Sequence, residues 1–324
     1  MQAQNADMMQ AMTISEFGGV EKFHLTQISK PQIEPDEILM QVEAAGVGEW
    51  DPFEREGGFA KMTGNSPTFP YTLGSEGAGI IERVGSKVTN LKVGDRVFAA
   101  SFLNSKGGFY AEYAAVKATL VAPIPAGMSI EQAATFSGVA LTALRGLDDT
   151  LKLHSGETLL ILGASGGVGH MAVQLAQIMG VKVIAVASGS DGIKMVESLG
   201  AENVVDGHDV DLREKLGALC PDGADAALLL VGGKIAEQMI QCVKKGGRAA
   251  YPAGAEPAPE APEGVALTKY NGDPDQPLIR RLNELISKRP LSVYIAQTFP
   301  FTEIAAAHKA LKGHHVGKFA LFIH

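Results

Sequence analysis

The chain has 324 residues, enough for two domains of about 100–200 residues each with their own cores. Hydrophobic residues make up 46% and charged residues 20%, ordinary globular usage that excludes a disordered or fibrous chain. A net charge of −8 with no Lys/Arg tract excludes the usual electrostatic footprint of a nucleic-acid binder, and two cysteines, Cys220 and Cys242, build neither a disulfide framework nor a four-thiolate zinc knot.

No apolar run reaches the ~20 residues of a membrane span. Met1 to Gln10 is polar and lacks an apolar signal core, so we expect a loose extension, a cytoplasmic protein, and a first strand near Ala11–Ser15. From there to about Pro125 the chain reads as short strands punctuated by glycine turns. Residues 37–43 alternate apolar and polar side chains, and residues 79–84, 96–100 and 110–116 look similar. Many short strands at close spacing predict a compact, barrel-like β-rich unit.

The texture changes near Ser129. Residues 158–162 are a short apolar run, followed by a glycine loop and then by Val168, Met171, Ala172, Leu175, Ala176 and Met179, which share one helix face. A second apolar strand spans residues 181–187, with a helix after it to Leu199. Residues 224–231 and 248–250 repeat the theme around a helix from about Lys234 to Val243. Strand–helix–strand repetition predicts a parallel, doubly wound α/β sheet with right-handed crossovers. The Pro/Ala/Glu-rich stretch from Glu256 to Gly264 reads as an exposed loop, with a helix near Gln276–Lys288 and a last strand at Lys318–Ile323 closing the chain.

The loop between the first strand and helix of the α/β region is Gly163-Ala164-Ser165-Gly166-Gly167-Val168-Gly169. Glycines let main chain approach a pyrophosphate closely, and the helix start offers unpaired N–H groups and a positive dipole end. Ala164 stands where the usual fingerprint has its first glycine; the strand before, helix after and second strand about 20 residues on supply the dinucleotide-binding context. An acid at the end of that second strand would bond the ribose hydroxyls of NAD and repel a 2′-phosphate. This chain has Ala187-Ser188-Gly189-Ser190 there, then Asp191 and Lys194. Ser188, Ser190 and Lys194 are therefore read as 2′-phosphate donors, giving NADP(H) as the expected cofactor. Two plainer roles stay open: Asp191 as a helix N-cap and Lys194 as a solvated charge.

Residues 73–97 (Leu-Gly-Ser-Glu-Gly-Ala-Gly through Val-Gly-Asp-Arg-Val), together with Gly108–Tyr113, Leu141–Leu144, the glycine loop, Gly246–Arg248 and Gly317-Lys318, resemble the medium-chain dehydrogenases/reductases, in the same order along nearly the whole chain. The resemblance implies a Rossmann domain (129–265) inside a split GroES-like catalytic domain (1–128 and 266–324), with the cofactor in the cleft between them and a homodimer as the assembly. The family's zinc alcohol dehydrogenases carry a cysteine and a histidine where this chain has Gly48 and Ser75, so a metal-free site is expected although Glu76 is kept. The similar zinc-free branch reduces quinones and α,β-unsaturated carbonyls, whose conjugation spreads the incoming hydride charge without a Lewis acid.

That branch usually has an asparagine at Gly48 and a tyrosine at Phe53, while Arg55 and Gly57 are retained. Its phosphate-side tyrosine corresponds to Gly207, beside His208. By analogy Trp50, Phe53 and Tyr71 line a flat acceptor pocket; ordinary packing is the competing reading. Thr142, Val231, Gly232, Ala253, Gly254 and Lys318 are the remaining cofactor candidates, with Thr142 equally able to bond its own helix and Lys318 to begin a strand. No general acid is singled out. Two other functions stay open: a zinc-free alcohol or aldehyde reductase, and a non-catalytic NADPH-binding structural or sensor protein.

Overall fold

The computed structural model describes residues 7–323. In chain order its elements begin with β1 (Met8–Ile14), β2 (His24–Ser29) and β3 (Glu37–Val47), two short helices α1 (Trp50–Arg55) and α2 (Gly58–Thr63), and β4 (Tyr71–Thr72), β5 (Glu76–Val84), β6 (Arg96–Ala100), β7 (Tyr113–Lys117) and β8 (Val121–Pro123). Then come α3 (Ile130–Leu144), β9 (Thr158–Leu162), α4 (Gly167–Ile178), β10 (Lys182–Ala187), α5 (Gly189–Ser198), β11 (Asn203–Asp206), α6 (Leu212–Leu219), β12 (Ala224–Leu229), α7 (Lys234–Ile240), β13 (Val243–Pro252) and β14 (Ala266–Tyr270). The chain continues through α8 (Gln276–Lys288), β15 (Ile295–Pro300), α9 (Ile304–Ala310) and β16 (Lys318–Phe322).

These elements form two compact units. The first comprises residues to Gly138 with Pro274–Ile279 and Ile295 onward; the second comprises Val139–Asp273 and Arg280–Tyr294. The expected boundary at 128/129 is thus displaced, because α3 is continuous across residue 138. The expected boundary at 265/266 is displaced too: β14 lies beyond the Pro-rich loop and pairs in parallel with β13 as a further strand of the same sheet. The extension expected to reach Gln10 ends sooner, since β1 starts at Met8 and pairs with β2; the remainder of that segment lies outside the described residues.

In the first unit, β3 is the organising strand. It pairs antiparallel with β5, β7 and β16 in a seven-stranded sheet, and β1, β2 and β4 make a second, three-stranded sheet. The alternation read over residues 37–43 understates its burial, because β3 is covered on both sides: Ile38, Leu39, Met40 and Val42 are all fully buried. One core gathers Ile14, Val42, Leu73, Phe109 and Tyr110 from the first half of the chain with Phe299, Ile304 and Leu321 from its last part.

The second unit is a six-stranded sheet in the order β11-β10-β9-β12-β13-β14, every neighbour parallel. Numbered from β9, this is 3-2-1-4-5-6, the Rossmann order, with its reversal at β9. Strands buried on both faces explain the unbroken apolar runs read from sequence; Leu159, Leu160 and Ile161 are fully buried. No helix among the described residues is long and apolar enough to cross a membrane.

The first unit also buries a histidine against a cation. Arg55 donates to His308 Nδ1 at 2.8 Å and to the Gly18 carbonyl at 2.9 Å. Because guanidinium only donates, Nδ1 is the acceptor and the proton sits on Nε2, which is buried without a partner. Burial, and then the neighbouring Arg55 charge, push His308 down to about 3. A depressed histidine stabilises the fold fully above its unfolded value near 6.5, and that contribution is lost as pH falls toward 3. Replacing His308 by Gln, which keeps an acceptor for Arg55, is expected to flatten the fall in unfolding free energy between pH 6.5 and 3, as read from urea melts across that range.

Candidate functional site

In the second unit the loop after β9 is tied down from below. Gly163 takes a left-handed φ of +80°, and the amides of Gly163 and Ala164 both donate to the Val186 carbonyl, at 3.1 and 3.0 Å. A Cβ on Gly169 would stand 2.0 Å from the Gly163 oxygen, so only glycine lets α4 start so close to the turn. Gly166 is the opposite case: the nearest atom to a Cβ there is the Gly163 oxygen at 3.4 Å, which leaves its outer face open. The amides of Gly167, Val168 and Gly169, in the first turn of α4, have no carbonyl a turn earlier to bond, and Gly166 at the cap has no side chain. The result is a cluster of main-chain donors at a positive helix end, which fits a pyrophosphate.

Other candidates gather at the same carboxyl ends of the parallel strands. The Ser165 hydroxyl is turned toward α5, accepting from the Ser188 amide at 3.4 Å, while Ala164 is fully buried and contributes only main chain. Ser188 is the cap residue of α5, and Ser190 and Lys194 are exposed on its first turns. Asp191 is not the cap: α5 begins two residues earlier, at Gly189, and its carboxylate accepts from the Gly192 amide at 2.9 Å. Val231 approaches Gly163 closely and is 47% exposed; Gly232 packs on the Glu256–Pro257 main chain, Ala253 donates to Tyr270 O at 2.9 Å, and the space around Gly254 is open. Thr142 stands on α3 against Gly272.

One residue here escaped the sequence reading. Asp206, at the end of β11, accepts from the amide of His208 at 3.0 Å and from its Nδ1 at 3.1 Å, with the Gly189 amide at the start of α5 nearby. These donors, the His208 amide first, hold its carboxyl below the usual range. The acid sought at the end of β10 is therefore found on the adjacent strand, with its charge already committed.

The first unit holds a buried polar cluster. Glu76 Oε1 meets Lys318 Nζ at 2.8 Å, and Glu76 Oε2 accepts from the Gly138 amide at 2.7 Å and the Ser137 hydroxyl at 3.2 Å. Asp51 accepts from the Gly48 amide at 2.8 Å and the Ser75 hydroxyl at 3.2 Å; burial raises its carboxyl despite the opposing charge of Lys318. Tyr71 donates to Glu54 Oε1 at 2.7 Å and is 6% exposed within the core, so its hydroxyl faces a carboxyl inside the unit. Trp50 and Phe53 do lie together, ring centroids 5.5 Å apart, in an aromatic group with Phe59 and Phe102.

This donor set does not fit zinc. Gly48 offers no ligand atom, the Ser75 hydroxyl serves Asp51, and both oxygens of Glu76 are engaged. A Cβ at Gly48 would meet Lys318 Nζ at 2.7 Å, so an ammonium already stands against the position from which a thiolate would reach a metal. Among the described residues no group of three His, Cys, Asp or Glu is placed to hold a metal ion.

Comparison with known proteins identifies the family. Residues 34–126 match the family described as alcohol dehydrogenase GroES-like domain, and residues 167–270 match the one described as zinc-binding dehydrogenase. A quinone oxidoreductase of Mus musculus is 30% identical over 316 residues, 93% of each chain. An NADPH-dependent alkenal/one oxidoreductase of Arabidopsis thaliana, chloroplastic, is 30% identical over 97% of this chain and 79% of its own. The solved quinone oxidoreductase of Coxiella burnetii superposes with a TM-score of 0.83 at 26% identity, covering 98% of this chain and all of the other. The fold and site therefore define an oxidoreductase with a nucleotide-binding unit. The chain belongs to the medium-chain dehydrogenase/reductase superfamily, in its quinone oxidoreductase-like branch.

Lys318 is expected to be needed for the first unit's stability. Lys318→Met leaves the Glu76 charge buried without its cation, a loss of about 3–5 kcal/mol. The double variant with Glu76→Gln should recover most of it in equilibrium urea unfolding.

Proposed function

We propose that this chain is an NADPH-dependent, zinc-independent reductase of quinones or α,β-unsaturated carbonyls. The observation that carries the reading is the open face at Gly166 above the unpartnered amides of α4, flanked by Ser188, Ser190 and Lys194 with no acid at the end of β10. Main-chain donors take the diphosphate, and the hydroxyls with the Lys194 ammonium take the 2′-phosphate. Asp206 stays ionised on the neighbouring strand, its carboxylate turned to the His208 amide.

The bound nucleotide supplies the hydride. This chain's share is to hold it, to present a flat acceptor against Trp50 and Phe53, and to keep water away. The Glu76–Lys318 pair, with no ligand at Gly48 or Ser75, supports an acceptor that disperses negative charge through its own conjugation. The names of the murine and Arabidopsis relatives support the same substrate class. We further propose a homodimer, by analogy with the family.

Stopped-flow oxidation of NADPH and NADH against a quinone, an enone and a simple ketone tests the reading. Turnover of quinone or enone with NADPH is expected. Ketone turnover alone would make the chain an alcohol or aldehyde reductase, and binding without turnover on any acceptor would make it a non-catalytic NADPH binder. Lys194→Ala should weaken NADPH binding about 10- to 100-fold and leave NADH unchanged, measured by fluorescence titration. Gly169→Ala should abolish binding of both nucleotides, since its methyl would collide with the Gly163 carbonyl.

A further inference from the structure

The helix α1 is six residues long, too short to hold itself in water, so what seats it is the set of contacts on its buried side. That side is charged: Asp51, Glu54 and Arg55 are 3%, 5% and 3% exposed. Trp50 and Phe53, at positions i and i+3, share a face of the same helix and meet Phe59 and Phe102. Asp51 and Glu54 are likewise i and i+3, so two buried carboxyls lie one turn apart on the short helix that carries the aromatic wall.

The two carboxyls are provided for unequally. Asp51 receives the Gly48 amide and the Ser75 hydroxyl, with the Tyr110 hydroxyl and the Lys318 charge nearby. Glu54 receives the Tyr71 hydroxyl of β4. Arg55, next in the chain, is directed to His308, Glu56 and the Gly18 carbonyl. Beyond Asp51 stand Glu76 of β5 and Lys318 of β16, which pair with each other, and Glu49, just before α1, feels His315 and Lys318. Among these groups Tyr71 and Asp51 are the ones that act on Glu54.

We infer that Glu54 is the positioning residue of the aromatic wall: carrying a proton, it seats α1 and so fixes Trp50 and Phe53; ionised, it is repelled by Asp51 one turn away and releases them. Its environment places the change within the working range of a cell. Burial raises the Glu54 carboxyl to about 7, Asp51 adding to the rise and the Tyr71 hydrogen bond opposing it. The helix, its buried acid pair and its aromatic face together form a seat with one removable proton. The inference about the seat stands on α1 alone; its consequence for catalysis rests on reading the aromatic group as the acceptor pocket.

Trp50 is the only tryptophan in the chain, so its emission reports on α1 directly. In the full-length protein titrated from pH 5.5 to 9, a single change in Trp50 fluorescence centred near 7 is expected. Glu54→Gln should remove it, and Tyr71→Phe should move it to higher pH, because the lost hydroxyl stabilised the ionised form. The gap in melting temperature between Glu54→Gln and the parent should widen as pH rises from about 4.5 to 7, since a raised carboxyl costs the parent stability over that interval. Should Glu54→Gln fail to fold, Glu54→Met and the Tyr71→Phe midpoint carry the same test. Emission without a transition, or a transition that survives in Glu54→Gln, would overturn the inference.

Kinetics separate this from the functional reading. KM for a quinone should rise from pH 6 to 8 in the parent and stay flat in Glu54→Gln, with kcat changing less. A fluorescence transition with an unchanged KM would remove Glu54 from acceptor positioning. A fluorescence transition with no turnover on any acceptor would sink the enzyme reading and leave the seat in place.

Discussion

Two amide hydrogens on one carbonyl oxygen, those of Gly163 and Ala164 on Val186, pin the start of the nucleotide loop to the neighbouring strand. Everything proposed for the second unit depends on that anchor. With the turn fixed, Gly169 brings α4 against it at a distance no side chain tolerates, and the helix's unpartnered amides face outward beside the open side of Gly166. Ser165 extends the restraint to α5, so the glycine loop and the start of that helix are linked through one hydroxyl. A binding surface made of main chain needs rigidity more than side-chain chemistry, and the sheet order, reversing at β9, supplies it.

The first unit solves a different problem, which is how to bury charge. Its inner carboxylates are answered one by one: Glu76 by an ammonium, an amide and a hydroxyl, Asp51 by an amide and a hydroxyl, and Glu54 by a phenol. Desolvated charge of this kind is costly unless each oxygen has a donor. Glu54 has the weakest provision, and it is the member whose proton becomes labile near neutral pH. Such unevenness marks where a network gives way first.

Much of the fold was legible in the sequence because the periods are unambiguous. Apolar runs at 158–162 and 181–187 with a helical face between them admit one arrangement, and the structure has it as β9, α4 and β10. The place of the glycine loop between β9 and α4 was legible because closely spaced glycines mark a tight turn. What escaped was of another kind. α1 and α2 are single turns and a half, shorter than any window in which a helical period shows. The burial of Asp51, Glu54 and Arg55 left no mark in the sequence, since hydropathy does not distinguish a charge in solvent from one answered inside a core. Asp206 was missed because its role follows from β11 lying next to β10, a neighbour relation that a pattern along the chain does not contain. β14 was assigned away from its sheet because a Pro-rich loop resembles an ending, and the loop instead carries the chain back for a parallel strand.

The seven-stranded sheet of the first unit draws β3 and β16 together across most of the chain's length, Phe319 lying opposite Val47. On a ribosome, which releases polypeptide from the amino end, the nucleotide-binding unit has its six strands in hand by Tyr270, while the older half of its companion still lacks an edge. Until residue 318 has been translated, Glu76 has no ammonium to meet. Nascent chains therefore pass through a stage in which the later-made unit is complete and the earlier-made one waits, its β3 edge unpaired and vulnerable to wrong partners.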